Sequence, residues 1–204
     1  MMPFELFGAL VMFAAVMSFT PGPNNLMVLA SGVHFGLRRT LPHLSGISAG
    51  VAALLLAVGF GLHEVLLRWP AIFAAVKYVG AAYLLWLAFQ IARSGPIGEA
   101  GGMGKARPMS FVEAAAFQWV NPKAWVMGVG AMATYTVEAH YALTVVVIAA
   151  TFAAICFPAT GIWTVFGVGL RRFLADPRMA RAFNLAMASL LVASLWPIAA
   201  EWLR

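Results

Sequence analysis

The stretch Phe19-Thr20-Pro21-Gly22-Pro23-Asn24-Asn25 stands inside a long apolar run, and a second break, Asn121-Pro122-Lys123, stands inside another. Neither stretch fits an unbroken helix. Pro21 and Pro23 have no N–H to give to the carbonyls of Met17 and Phe19, and each forces the residue before it, Thr20 or Gly22, away from helical angles. In lipid a freed backbone group finds no water, so a broken helix persists only where it lines a cavity or is buried in protein. The two breaks fall at matching places in the two halves of the chain. Paired interruptions of this kind point to the binding site of a secondary transporter.

The surroundings of the breaks fix the solvent. Of the 204 residues, 63% are hydrophobic and only 10% charged, with a mean hydropathy of +0.89. Soluble domains carry about 25% charge. A net charge of +6 is spread between apolar runs rather than clustered with aromatics, which speaks for orientation in a membrane and against nucleic acid. The single cysteine, Cys156, excludes an intramolecular disulfide or a dithiol redox pair. The N-terminal run lacks a basic leader and a small-residue cleavage site, so it reads as a retained first span.

A span needs about 20 apolar residues, and the segments 4–33, 41–62, 70–92, 111–134, 142–166 and 182–202 qualify. The expected fold is an all-α polytopic membrane protein of six transmembrane helices, with helices one and four broken at their prolines. Arg38 and Arg39, then Arg93, Lys105 and Arg107, then Arg171, Arg172, Arg178 and Arg181 occupy loops on one side, whereas Arg68 and Arg204 lie on the other. The positive-inside rule places the first group in the cytoplasm and both termini outside. Trp69, Tyr135, Tyr141 and Trp202 then mark the outer interface. Helices one and four start on opposite sides, so residues 1–93 and 111–204 form two inverted three-helix repeats, and the Gly-rich segment 94–110 links them.

Each break suggests a chemical role. Pro23 and Pro122 suit the first position of a new half-helix, with Asn121 capping the second of them. Asn24 and Asn25 sit at a positive dipole end, where a carboxylate is a natural guest. The carbonyls of Met17, Phe19 and Gln118, stripped of their helical donors, are candidates for holding an ammonium. Lys123 falls mid-span, where a cation costs about 2.5–3.5 kcal/mol on insertion scales and is a functional candidate by default. Bending for packing alone explains one proline better than it explains Pro-Gly-Pro-Asn-Asn.

Other polar residues read more plainly. Lys77 is near a helix end and suits snorkelling. Glu113 reads as an interfacial charge with a proton-relay role as its alternative, and His43 as a satisfied interfacial histidine. Gly46 and Gly50 suit close helix packing, with Ser48 a weaker cavity-lining candidate. Cys156, Thr160 and Thr164 form a packed polar stripe.

At these residues the chain resembles the LysE/RhtB family of bacterial amino-acid exporters. The resemblance rests on the helix-one stretch, on Asn121-Pro122-Lys123-Ala124-Trp125, on Gly46-Ile47-Ser48-Ala49-Gly50 and on Lys77-Tyr78-Val79-Gly80-Ala81-Ala82-Tyr83-Leu84. Within the family it is most similar to exporters of cysteine and O-acetylserine type. The resemblance implies six spans, an inner-membrane location and amino-acid efflux driven by proton motive force; Lys123, mid-span, and Glu113, at its helix end, are the candidates for proton coupling by their own placement. Some relatives carry an aspartate where Asn24 stands.

No cofactor or metal is expected, and the partners are an amino acid, protons and the bilayer, with a homodimer allowed. A metal-ion exporter is the nearest alternative, disfavoured because hard cations want carboxylates and the central spans have none. An uncoupled channel is another. An intramembrane enzyme is disfavoured by the absence of a zinc-binding histidine pair or a nucleophile with its base. Lack of a central acid favours small neutral or polar amino acids over dibasic ones.

Overall fold

The computed structural model describes residues 2–62, 68, 70–93 and 107–196, without the side chains of 70, 72, 73, 76 and 77. The side chain of Lys77, along with His63, Trp69, Trp202 and the linker up to residue 106, therefore lies outside the described residues. Every regular element among the described residues is helical.

Helix α1 (Phe4–Phe19) and α2 (Pro23–Phe35) are the halves of the first broken segment, bent by 54° at the proline pair. α3 (Leu37–Ala57) ends in a π-turn at Val58–Leu62, and α4 covers Pro70–Ala92. α5 (Phe111–Phe117), a 3-10 turn (Gln118–Val120) and α6 (Pro122–Tyr135) make the second broken segment. α7 (Tyr141–Leu170) and α8 (Pro177–Ala193) complete the chain. By length and apolarity Leu37–Leu62 and Glu138–Leu170 can each cross a bilayer, and α1 with α2 adds a broken span. Tyr78–Ala92 is a shorter apolar stretch.

Two boundaries differ from expectation. The loop expected to carry Arg38 and Arg39 shrinks to Gly36, whose φ of 78° lets the chain leave α2 and enter α3 at once. Both arginines thus sit in the first turn of α3, exposed. α8 starts at Pro177 rather than 182, because Asp176 caps it by accepting from the backbone N–H of Arg178 at 2.7 Å.

The core is built across the halves. α1, α2 and α3 all pack on α7, α3 packs on α5, and α4 packs on α8. Leu10, Val28, Leu54, Ile148 and Phe152 are fully buried between them. Backbones come close where glycine permits. A Cβ at Gly32 would strike the Thr164 carbonyl, one at Gly167 the Leu29 carbonyl, and one at Gly46 the Phe111 carbonyl. At Gly50 it would meet Ala115 Cα at 2.6 Å and Gln118 Cγ at 2.8 Å. The expected tight packing of Gly46 and Gly50 is present, and its partner is α5.

Gly50→Val should therefore push α3 from α5, with overpacking costing about 1–3 kcal/mol. Gly161→Ala, where nothing lies within 4 Å, serves as the neutral control. Melting temperatures of the purified proteins in detergent check this, and an unchanged value for Gly50→Val would refute the close contact.

Candidate functional site

The residue before each proline is extended, as the ring requires: Thr20 at ψ 132°, Gly22 at φ −169° and ψ 177°, Asn121 at ψ 110°. Pro23 and Pro122 each occupy the start of a half-helix. Asn121 Oδ1 accepts from the Lys123 N–H at 3.2 Å and caps α6, as expected. Gly22 has no side chain to cap α2, so the N–H groups of Asn24 and Asn25 have no intrahelical acceptor.

The two breaks meet. Lys123 reaches across and donates from Nζ to the Thr20 carbonyl at 2.6 Å. Its stem lies along Gly22, where a Cβ would meet Lys123 Cδ at 2.8 Å. Asn24 Nδ2 donates to Gln118 Oε1 at 2.8 Å, and Gln118 Nε2 donates back to Asn24 Oδ1 at 3.1 Å. Gln118 Nε2 also reaches the Ala114 carbonyl at 2.9 Å, and Asn121 Nδ2 reaches Gln118 Oε1 at 3.4 Å. Asn25 Nδ2 bridges the break itself by donating to the carbonyls of Ser18 (2.8 Å) and Thr20 (2.9 Å). Gln118, Asn25 and Asn121 are all buried. Pro21 is exposed, and Pro122 and Lys123 are half-buried.

These groups surround a cavity of about 30 Å³, lined by Met17, Ser18, Gly22, Asn24, Asn25 and Lys123, with Cys156 and Thr160 from α7. A void that size holds about one water, not an amino acid. The site is closed.

Several expectations change. The Phe19 carbonyl accepts from Trp163 Nε1 at 3.3 Å, and the Gln118 carbonyl accepts from the Asn121 N–H at 3.3 Å, so each already has one donor. A carbonyl freed in an apolar setting is costly, and nearby donors capture it. The carbonyl facing Lys123 is that of Thr20, and the Gln118 contribution is its side chain. Ser18 and Thr20 were not anticipated; the signal for them is Asn25, whose amide is spaced to reach back over the break. Ser48 is buried beside the Cys156 thiol without a hydrogen bond of ordinary geometry, outside the cavity lining. Cys156, Thr160 and Thr164 do form a stripe in which each threonine hydroxyl donates to the carbonyl four residues earlier, but its first two members also border the cavity.

Glu113 is not brought to Lys123. It forms a bidentate pair with Arg107 at 2.6 and 2.7 Å and a capping box with Ser110. Its hydrogen bonds hold the Arg107 guanidinium above its usual pKa. His43, expected to be satisfied at an interface, is 2% exposed with neither ring nitrogen bonded. No group of three or more His, Cys, Asp or Glu able to hold a metal ion occurs among the described residues.

The family profile described as LysE type translocator matches residues 15–200. The chain belongs to the LysE family. A cysteine/O-acetylserine efflux protein of Escherichia coli (strain K12) is 32% identical over 195 residues, 92% of this chain and 94% of that one. A protein of the same name from Salmonella choleraesuis (strain SC-B67) is 30% identical over the same shares. One from Klebsiella pneumoniae is 37% identical over 133 residues, 64% of this chain and 65% of its own length. No solved structure matches. As a LysE family member with long apolar helices, the chain is a multi-pass membrane transport protein. The expectation of a transporter rather than an enzyme agrees with the efflux function named for these relatives.

Proposed function

We propose that this LysE family protein exports small neutral or polar amino acids, of the cysteine and O-acetylserine class named for its relatives, by exchange with protons across a bacterial inner membrane. The observation that carries the reading is the meeting of two half-helix N-termini around a small cavity with Lys123 held on the Thr20 carbonyl.

The Lys123 ammonium stands where the ammonium of a substrate would stand. While it carries a proton it occupies the Thr20 carbonyl. When it gives that proton to the cytoplasm, the carbonyl keeps Asn25 Nδ2 and regains a place for the substrate's ammonium, and the neutral amine becomes a further acceptor. The substrate's carboxylate then meets the N–H groups of Asn24 and Asn25 at the dipole end of α2. Proton and amino acid thus compete for one place, which is what exchange requires.

The architecture behind this reading is six spans in two inverted repeats, residues 1–93 and 111–204, joined by the linker 94–110, with both termini outside. The packing supports it. The broken segment of each half lies on the second helix of the other (α1 and α2 on α7, α5 on α3), while α3 pairs with α7 and α4 with α8. That pattern is unchanged when the halves are exchanged. Alternating access consists in parting the Asn24–Gln118 and Lys123–Thr20 pairs toward one side at a time.

Proteoliposomes loaded with each of the twenty amino acids, and with O-acetylserine, should lose cysteine and O-acetylserine against a gradient when an opposing proton gradient is imposed. Mass spectrometry of the effluent reads the result. Release of no amino acid, or downhill release alone, would reject the exchanger.

A further inference from the structure

A larger cavity, about 330 Å³, lies at the end of the bundle that carries Arg38, Arg39, Arg93 and Arg107. α2, α3, α4 and the start of α5 enclose it. Its walls are mostly apolar (Met27, Tyr83, Trp86, Leu87, Ile91), and its volume is that of sites that hold small ligands, about 300–1,000 Å³. His43 lines it, 2% exposed, with both Nδ1 and Nε2 unbonded. Of the other polar groups around it, Ser31 shares a hydrogen bond with Thr40 at 2.9 Å, Arg107 pairs with Glu113 while each keeps hydrogen-bonding capacity to spare, and His34 and Gln90 line it as well. A buried imidazole without a partner is costly, and one lining a cavity of ligand size is placed to receive a guest.

The cavity is continuous in sequence terms with the central site. On α2, Asn24 lines the central void and Met27, one turn on, lines this one; the segment from Glu113 to Gln118 likewise runs from its rim to the central amide pair. Asn24 and Gln118 thus stand on the two elements that run from one chamber to the other.

We propose that the larger chamber is a second amino-acid site, an inner vestibule in which His43 hydrogen-bonds the uncharged polar side chain of the ligand. The zwitterionic end faces Arg107 and Glu113, whose opposite charges match a carboxylate and an ammonium. A hydroxyl, a thiol or an ester carbonyl meets the one donor and one acceptor of a neutral imidazole. This rests on the exporter reading for its ligand class.

Equilibrium dialysis of radiolabelled O-acetyl-L-serine against the full chain tests it. The wild type should bind two per chain, and Lys123→Arg, whose fixed charge keeps the Thr20 carbonyl occupied, one. His43→Leu should lose the other, with affinity there falling about tenfold or more, and His43→Gln, which keeps a donor and an acceptor, should recover part of it. Ala30→Phe, which fills the vestibule from α2, gives a second route to the same loss should His43→Leu not fold. One bound per chain, abolished by Lys123→Arg and untouched by His43→Leu or Ala30→Phe, overturns the vestibule and leaves the exporter standing. The same result with copurified lipid assigns the chamber to an acyl chain. No binding to the wild type, together with no efflux, overturns both.

Discussion

Lys123→Met should abolish uphill export while the protein still inserts and folds. The side chain is the charged group of the central cavity, and its Nζ–Thr20 bond of 2.6 Å is the contact that ties the two breaks together through a cation. Removing the charge relieves the insertion cost of a mid-span lysine, about 2.5–3.5 kcal/mol, so loss of function cannot be put down to poorer insertion. Lys123→Arg is the sharper test. Arginine keeps the charge and does not give up its proton, so it would hold the Thr20 carbonyl permanently. Both variants should fall at least about a hundredfold in uphill efflux from loaded vesicles, a transition-state difference of about 2.7 kcal/mol. Full export by Lys123→Arg would show that the proton moves elsewhere, and full export by Lys123→Met would remove the lysine from the mechanism.

Gln118→Leu should be the most damaging uncharged change. Gln118 is fully buried and its amide serves Asn24 in both directions, Ala114 and Asn121. A leucine fills the space and leaves Asn24 and Asn121 without that partner, at about 1–3 kcal/mol for each buried group so stranded. It also removes the bolt between the halves. Uphill export should fall at least about tenfold, with a lower melting temperature in detergent. Gln118→Glu retains the shape but, when ionised, donates nothing to Asn24 Oδ1 or the Ala114 carbonyl, so it should fail as well. Normal export and melting in Gln118→Leu would mean that the amide pair is incidental.

Much of this arrangement was legible residue by residue. Proline restricts its own backbone and that of its predecessor, and where it comes doubled about a glycine (Pro21, Pro23) or behind a capping asparagine (Pro122) the break is legible locally, whereas Pro42 and Pro158 lie inside continuous helices. The glycines that admit α5 could be suspected from their spacing. Which helix they admit could not be, because a four-residue repeat marks a face and not a neighbour.

The chain's covalent order alone determined that two apolar segments are broken, where they break, and that Lys123 stands in one of them, since each is a matter of dihedral angles and solvation within a few residues. Only the folded structure decided that Lys123 crosses to the Thr20 carbonyl, that Gln118 clasps Asn24, that Glu113 stays at the rim with Arg107, and that His43 is buried without a partner. Those are contacts between residues far apart in the chain, set by how α2, α3, α5 and α7 pack, and no local rule carries that information.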